Sequence, residues 1–305
     1  MIRSIAPTTG RYRHVVFADA IDAGQPINLA PADNAALDAD FEPVAGEFLE
    51  WLFDRGGLDV RHYRAETLSR RLGACLRKLR ASSLAGARAA IERDPALVHD
   101  ALSAMLIGVT HFFRDPLVFN ELAVSILPSL LSRKSNIRIW SAGCSDGAEL
   151  YSIAMLLAEI GAAHRAELLG TDVRMAAVRT AQVGIYEQVA LSEMSADRLV
   201  QHFDPFVPPE SSALRGPCWR VKESLRSMAR WRSADLLRTL EPGPWDLILC
   251  RNTAMYFRSE SAAKVVGQLH SSLVRGGYLV LGHAERPIGG FGSHAPGAGC
   301  FLKAG

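Results

Sequence analysis

The chain has 305 residues, of which 49% are hydrophobic and 22% charged, with a formal net charge of +2. This composition supports one large or two modest folded domains and excludes disorder as the dominant state. The near-neutral balance gives no overall pull towards nucleic acid, and the absence of a run of about 18 apolar residues excludes a membrane-spanning helix, so a cytoplasmic location is expected.

The five cysteines (75, 144, 218, 250 and 300) form no Cys-x-x-Cys pair, and the nine histidines show no ligand spacing. Neither a disulfide framework nor a structural metal is expected.

Residues 1–40, rich in Ala, Asp, Pro and Gly, show no sustained period and are read as a flexible N-terminal arm. Helical periodicity begins at Phe48-Leu49-Trp51-Leu52 and stops at Gly56-Gly57. The next helix is expected over residues 66–80, with Leu68, Leu72, Cys75, Leu76 and Leu79 on one stripe. Further helices are expected at 84–92, 95–108 and 117–131, the last containing Pro128. The first third of the chain thus reads as helical throughout: a domain over 41–116, then a linker helix within 117–136.

Between Arg61 and Arg93 nine Lys or Arg residues face two acids, a local charge of +7. Arg70 with Arg77, and Arg71 with Lys78, stack at helical spacing opposite the leucines. An acidic protein helix suits such a face. Nucleic acid suits it equally, though no aromatic side chains interleave the charges as stacking platforms, and a solvated helix face is the plain alternative.

From residue 137 strands and helices alternate, the mark of a largely parallel α/β sheet. Strands are expected at 137–142, 166–171, 227–233, 246–250, 277–283 and 299–303, the last two as an antiparallel edge hairpin. Helices are expected at 148–160, 173–183 and 260–274. The pattern fails over about 184–225, too long for a bare loop, so an inserted subdomain is expected there.

The segment Ile137-Arg138-Ile139-Trp140-Ser141-Ala142-Gly143-Cys144-Ser145-Asp146-Gly147-Ala148-Glu149 reads as a buried strand, a loop of small residues and a helix start. A second strand, Leu168-Leu169-Gly170-Thr171, ends in Asp172. This pair of features binds nucleosides in open α/β folds, the loop taking the tail and the acid the ribose hydroxyls. Neither a Gly-x-Gly-x-x-Gly turn nor a phosphate-cradling Gly-Lys loop is present. An acid at the helix start favours a ligand with an ammonium or sulfonium group, such as S-adenosylmethionine, over a phosphate. An ordinary strand–helix unit with a glycine turn is the plain alternative.

Seven short motifs in register between about residues 45 and 303 resemble one family. They are Thr67-Leu68-Ser69-Arg70-Arg71-Leu72, Val109-Thr110-His111-Phe112-Phe113-Arg114-Asp115, Trp140-Ser141-Ala142-Gly143-Cys144-Ser145 with Tyr151-Ser152-Ile153-Ala154-Met155, Thr171-Asp172, Gly184-Ile185-Tyr186, Cys250-Arg251-Asn252 with Tyr256-Phe257, and Gly282-His283-Ala284-Glu285. The chain resembles the chemotaxis receptor methyltransferases of the CheR type, which are protein-glutamate O-methyltransferases. The resemblance implies a class I, Rossmann-like methyltransferase domain (137–305) with an inserted antiparallel β-subdomain, preceded by a small all-helical receptor-docking domain. It implies S-adenosyl-L-methionine as cofactor, with S-adenosyl-L-homocysteine as product, and methyl esters on glutamates of chemoreceptor cytoplasmic helices.

By the same resemblance, Thr110, Arg114, Ala142, Gly143, Glu149, Asp172, Asp235, Leu236, Arg251 and Asn252 surround the cofactor. Arg114 and Tyr256 lie nearest the transferred methyl, and Arg70, Arg71, Arg77 and Lys78 dock the acidic receptor helix. Glu149 is assigned to the methionyl ammonium and Asp172 to the ribose.

Two departures stand out. Ala148 replaces an acid usual in the family, and Arg174 stands where the family has a second Asp. Arg174 is expected to point to solvent, His283 to be a core histidine, and Trp140, Trp245 and Phe257 to be core aromatics. These departures motivate a second reading, a cofactor- or product-binding sensor or scaffold. A receptor-tail tether on the β-subdomain is not expected, because 205–219 lacks the glycine pattern for it.

Overall fold

The computed structural model describes residues 43–106, 110–210, 212, 214–283, 285–287 and 291–304. The arm expected over residues 1–40 lies outside the described residues.

The chain enters through four helices, α1 (Pro43–Arg55), α2 (Ala65–Leu79), α3 (Leu84–Arg93) and α4 (Leu97–Met105). Each buries one stripe. Phe48, Leu49, Leu52 and Phe53 point inward from α1, and Leu68, Cys75 and Leu79 from α2. At the start of α3 the Ser83 hydroxyl accepts the Gly86 N–H at 3.1 Å, satisfying one of the donors a helix start leaves free.

The segment expected as one helix at 117–131 is helical but changes pitch. It runs as α5 (Pro116–Glu121), a π-turn (Leu122–Ile126) and α6 (Leu127–Arg133), with the Leu127 N–H bonded to Leu122 O. Pro128 offers no N–H, and its ring would crowd the carbonyl four residues back. The wider turn just before it gives that ring room. Phe119, Leu122, Ile126, Leu127 and Leu130 pack this segment into the core of the sheet domain.

The main sheet contains β1 (Ile137–Ala142), β2 (Ala166–Asp172), β6 (Ala229–Ser233), β7 (Trp245–Cys250), β8 (Leu273–Leu281), β9 (Phe291–Ala295) and β10 (Cys300–Lys303), in the order β6-β2-β1-β7-β8-β10-β9. The first five are parallel, and β10 is antiparallel to both β8 and β9. The antiparallel hairpin at the edge is therefore β9–β10. Strand β9 was not expected; its Phe291-Gly-Ser-His-Ala sequence carries no β-branched residue to signal a strand.

Alternate residues of β7 feed opposite faces, as period 2 requires. Ile248 and Cys250 join the core shared with α1–α4 and α11 (Ser259–Ser272), whereas Leu247 and Leu249 join the core under α7 (Ala148–Glu159).

Within the stretch where the strand–helix pattern fails, β3 (Ile185–Glu187), β4 (Phe203–Phe206) and β5 (Cys218–Val221) form a separate antiparallel sheet in the order β3-β5-β4. The architecture is an open, largely parallel α/β sheet with an antiparallel insertion, preceded by an all-helical layer. No helix of the described residues is long and apolar enough to cross a membrane.

Candidate cofactor and methyl-transfer site

The carboxyl ends of β1, β2, β6 and β7 converge where the strand order reverses between β1 and β7, the place where open α/β sheets bind ligands. The loops that follow these strands enclose a cavity partly open to solvent. Thr110, Arg114, Gly143, Glu149, Asp172, Asp235, Leu236, Arg251, Asn252 and Tyr256 all line it. Ala142, expected to join them, is a buried end residue of β1 and does not face the cavity. Tyr63, Leu106 and Phe257 also line it. Tyr63 and Leu106 come from the helical layer, and no sequence spacing marks either as a site residue.

The backbone around the cavity is held in unusual conformations. Of the described non-glycine residues with positive φ, Phe113, Asp115, Ser145 and Asn252 all belong to segments bordering it. Such outliers persist where surrounding structure over-determines them, and they gather at ligand sites. Gly143 has φ +83°, and a Cβ there would run into the Thr253 side chain, so only glycine lets the first loop pass so close to the 251–257 turn.

Two acids anchor the cavity. Glu149, in the first turn of α7, accepts the Ser141 hydroxyl at 2.8 Å and Arg251 Nη1 at 3.1 Å. Arg251 Nη2 in turn donates to Arg114 O at 3.0 Å and pairs with Asp115. Arg251 therefore ties the 110–116 segment to the sheet as well as lining the cavity.

Asp172 is more fully engaged. Its Oδ2 accepts the Ser145 N–H at 2.9 Å, and its Oδ1 accepts the Arg174 N–H at 2.9 Å. The Arg174 guanidinium closes a bidentate pair through Nε at 3.0 Å and Nη2 at 3.2 Å, and Nη2 also reaches Ser145 Oγ at 2.9 Å. Arg174 thus turns into the cavity, only 12% exposed, and not to solvent as expected. Asp172 and Asp146 place negative charge where that side chain can lie, and burial alone opposes it.

Tyr256 sits on a 3₁₀ turn, Ala254–Tyr256, just beyond β7. Burial raises its phenol above the ordinary value, and the charges of Arg174, Arg71 and Arg114 work against that rise. Arg71 is consequently not on the exposed docking face. It is half-buried, with Nε and Nη2 at 3.4 Å from Ala104 O, whereas Arg70, Arg77 and Lys78 are exposed. Trp140 and Trp245 are core, their rings tilted against each other with centres 5.9 Å apart. Phe257 is buried but borders the cavity, and His283 is exposed, so it is not the core histidine expected. Cys144 is buried, and burial pushes its thiol well up, which suits a spacer and not a nucleophile. Among the described residues no three His, Cys, Asp or Glu side chains gather in a metal-binding group.

The donor set fits S-adenosyl-L-methionine in kind. Carboxylates from Glu149, Asp172 and Asp235 line the cavity, matching an ammonium, a sulfonium and a ribose diol. Full use of Asp172 requires Arg174 to give up its hold.

Residues 108–289 match the family model described as CheR methyltransferase, SAM binding domain, and residues 46–106 match CheR methyltransferase, all-alpha domain. A chemotaxis protein methyltransferase of Vibrio parahaemolyticus is 34% identical over 62% of this chain and 68% of its own length. Chemotaxis protein methyltransferase 1 of Vibrio cholerae is 30% identical over 80% of this chain and 89% of its own. Chemotaxis protein methyltransferase Cher2 of Pseudomonas putida is 29% identical over 81% and 90%.

Proposed function

The chain belongs to the CheR methyltransferase family, using S-adenosyl-L-methionine in chemotaxis, and from this premise we propose that it esterifies glutamate side chains on the cytoplasmic helices of a chemoreceptor. The observation carrying the acceptor class is the presence of the Arg114 and Arg174 guanidinium groups with Tyr256 in the cavity lining. A carboxylate is drawn to such a field.

A glutamate carboxylate, with a reference pKa of about 4.3, is already ionised at neutral pH and needs no general base. The bound cofactor supplies an electrophilic methyl on a positively charged sulfur, which leaves as a neutral thioether. The protein's task is alignment of oxygen, carbon and sulfur, with reacting atoms roughly 3–3.5 Å apart. In this reading Glu149 takes the ammonium, Asp172 the ribose hydroxyls, and Thr110, Gly143, Asp235, Leu236, Arg251 and Asn252 shape the remaining walls. Tyr256 directs the incoming carboxylate by its hydroxyl. Arg114 orients it without a tight ion pair, since an ion pair equally strong in the ground state would not speed transfer.

The exposed cations Arg70, Arg77 and Lys78 of α2 form the docking face for an acidic helix on the cytoplasmic side. Nucleic acid is not the partner in this reading.

A second reading, a binding sensor or scaffold with little turnover, draws on Arg174 occupying the ribose acid. Calorimetric titration with the cofactor and with S-adenosyl-L-homocysteine, on wild type and Asp172→Ala, combined with transfer of a tritiated methyl to a chemoreceptor cytoplasmic fragment, separates the two. Binding with transfer supports the enzyme; binding without transfer to any receptor of the organism supports the sensor. Unaltered binding and methylation by Asp172→Ala overturns the site.

A further inference from the structure

Glu285 lies just past the end of β8, is 1% exposed, and is not among the residues that line the cavity. Its carboxylate is instead aimed at the backbone of the neighbouring turn. Oε2 accepts the Gly282 N–H at 2.7 Å and the Asn252 N–H at 3.0 Å, and Oε1 accepts the Met255 N–H at 3.0 Å. The Ala254 N–H adds a further bond. A short turn beginning at a strand end leaves its first N–H groups without main-chain acceptors, and a carboxylate gathering them forms a strong, directional cluster.

We propose that Glu285 is a positioning residue for methyl transfer, setting the 252–256 turn so that Asn252 and Tyr256 face the cavity at the required depth. This rests on the methyltransferase reading given above.

Three observations carry it. Asn252 holds φ +56°, a left-handed conformation that a non-glycine residue adopts only when something fixes it, and its own N–H is one of the bonded donors. Met255, whose N–H is bonded to Oε1, directly precedes Tyr256, so a shift at that bond reaches the phenol with one residue of slack. The approach is also built for contact: a Cβ at Gly282 would lie 2.8 Å from both Asn252 N and Glu285 Oε2, closer than real side chains come. The far end of the turn is held independently by the Arg64 N–H on Tyr256 O at 2.9 Å. The turn is therefore pinned from two sides, and the carboxylate sets the side that bears Asn252.

The test is Glu285→Gln, which keeps the shape but leaves one acceptor oxygen. With that oxygen on the side of Asn252 and Gly282, the amide NH2 opposes the Met255 N–H beside Tyr256. Methyl transfer from tritiated S-adenosyl-L-methionine to a chemoreceptor cytoplasmic fragment is measured for wild type, Glu285→Gln, Tyr256→Phe and the double variant, with calorimetric binding of S-adenosyl-L-homocysteine alongside. The expected result is a fall in kcat of about 10- to 100-fold, a change in the S-adenosyl-L-homocysteine Kd of less than about threefold, and a double variant no slower than the slower single one. A merely structural role would instead lower kcat and raise Kd together or add to the Tyr256→Phe loss; either pattern, or a kcat within about twofold of wild type, overturns the proposal. Wild type that binds the cofactor but methylates no receptor fragment overturns the methyltransferase reading itself, a different outcome. Should Glu285→Gln fail to fold, Gly282→Ala, which wedges the carboxylate off the turn, is expected to give the same kinetic signature, and an unchanged kcat in it overturns the proposal.

Discussion

The carboxylate of Asp172 and the guanidinium of Arg174, two residues apart, form a bidentate pair inside the cavity, so that each carboxylate oxygen accepts from two protein donors. A carboxylate has about four acceptor positions, and here all are taken before any ribose arrives. Removing the guanidinium should free two of them. Arg174→Ala is expected to tighten S-adenosyl-L-homocysteine binding by about tenfold, ~1.4 kcal/mol, in a calorimetric titration. Weaker binding by the variant would mean that Arg174 contributes to holding the ligand.

Asp146, in the loop after β1, has its carboxyl pushed up by burial to about 6 from an ordinary 3.8. A folded-state value above the unfolded one gives stability that is present below pH 3.8 and lost as pH rises through about 6. At neutral pH the carboxylate is therefore a net burden. Asp146→Asn, which keeps an acceptor for the Ala148 N–H, should stabilise the protein by on the order of 1–3 kcal/mol at pH 8 and by nothing near pH 4. Urea denaturation at the two pH values checks the sign.

Trp140 Nε1 donates to Thr171 Oγ1 at 2.9 Å between two side chains that are both fully buried. Thr171→Val keeps the shape and deletes the acceptor, leaving the indole N–H unpaired. The expected loss is about 1–3 kcal/mol, read as a lower midpoint of unfolding. A loss under about 0.5 kcal/mol would show that the indole finds another acceptor.

Reversing the exposed charges of α2 tests the docking face. Arg70→Glu with Arg77→Glu and Lys78→Glu should lower kcat/KM for a receptor fragment by about tenfold or more at low salt, and by less as salt screens the surface. Binding of S-adenosyl-L-homocysteine should not change. Equal kcat/KM for the triple variant would move the docking surface elsewhere.

Much of this site is legible in the sequence because strand ends and loops are. The buried run Ile137–Ala142 and the small residues after it locate the first loop, and the apolar strand before Asp172 locates the second acid. Side-chain direction is less legible. Arg174 is a lone cation after a strand, and only the tertiary placement of Ser145 and Asp172 decides that it folds inward. Arg71 shares the spacing of Arg70 and Arg77, yet the carbonyl of Ala104 draws it to the cavity side. Tyr63 and Leu106 escape notice because they line the wall only through the docking of one layer on another. Glu285 belongs to a recognisable motif, but its partners are main-chain N–H groups, which carry no residue signature.

The antiparallel bridge between Tyr63 and Phe257, with the Arg64 N–H on Tyr256 O and the Arg258 N–H on His62 O, stitches the helical layer to the turn that carries the phenol. The two family models meet along this chain as separate segments, but the chamber does not divide where they do. A fragment beginning at residue 108 would lack the Tyr63 and Leu106 walls and would leave the far side of the turn untied. The cofactor-binding half is thus no minimal enzyme: dissection at the seam opens the reaction chamber to water, and the two segments can be exchanged between relatives only as a matched pair.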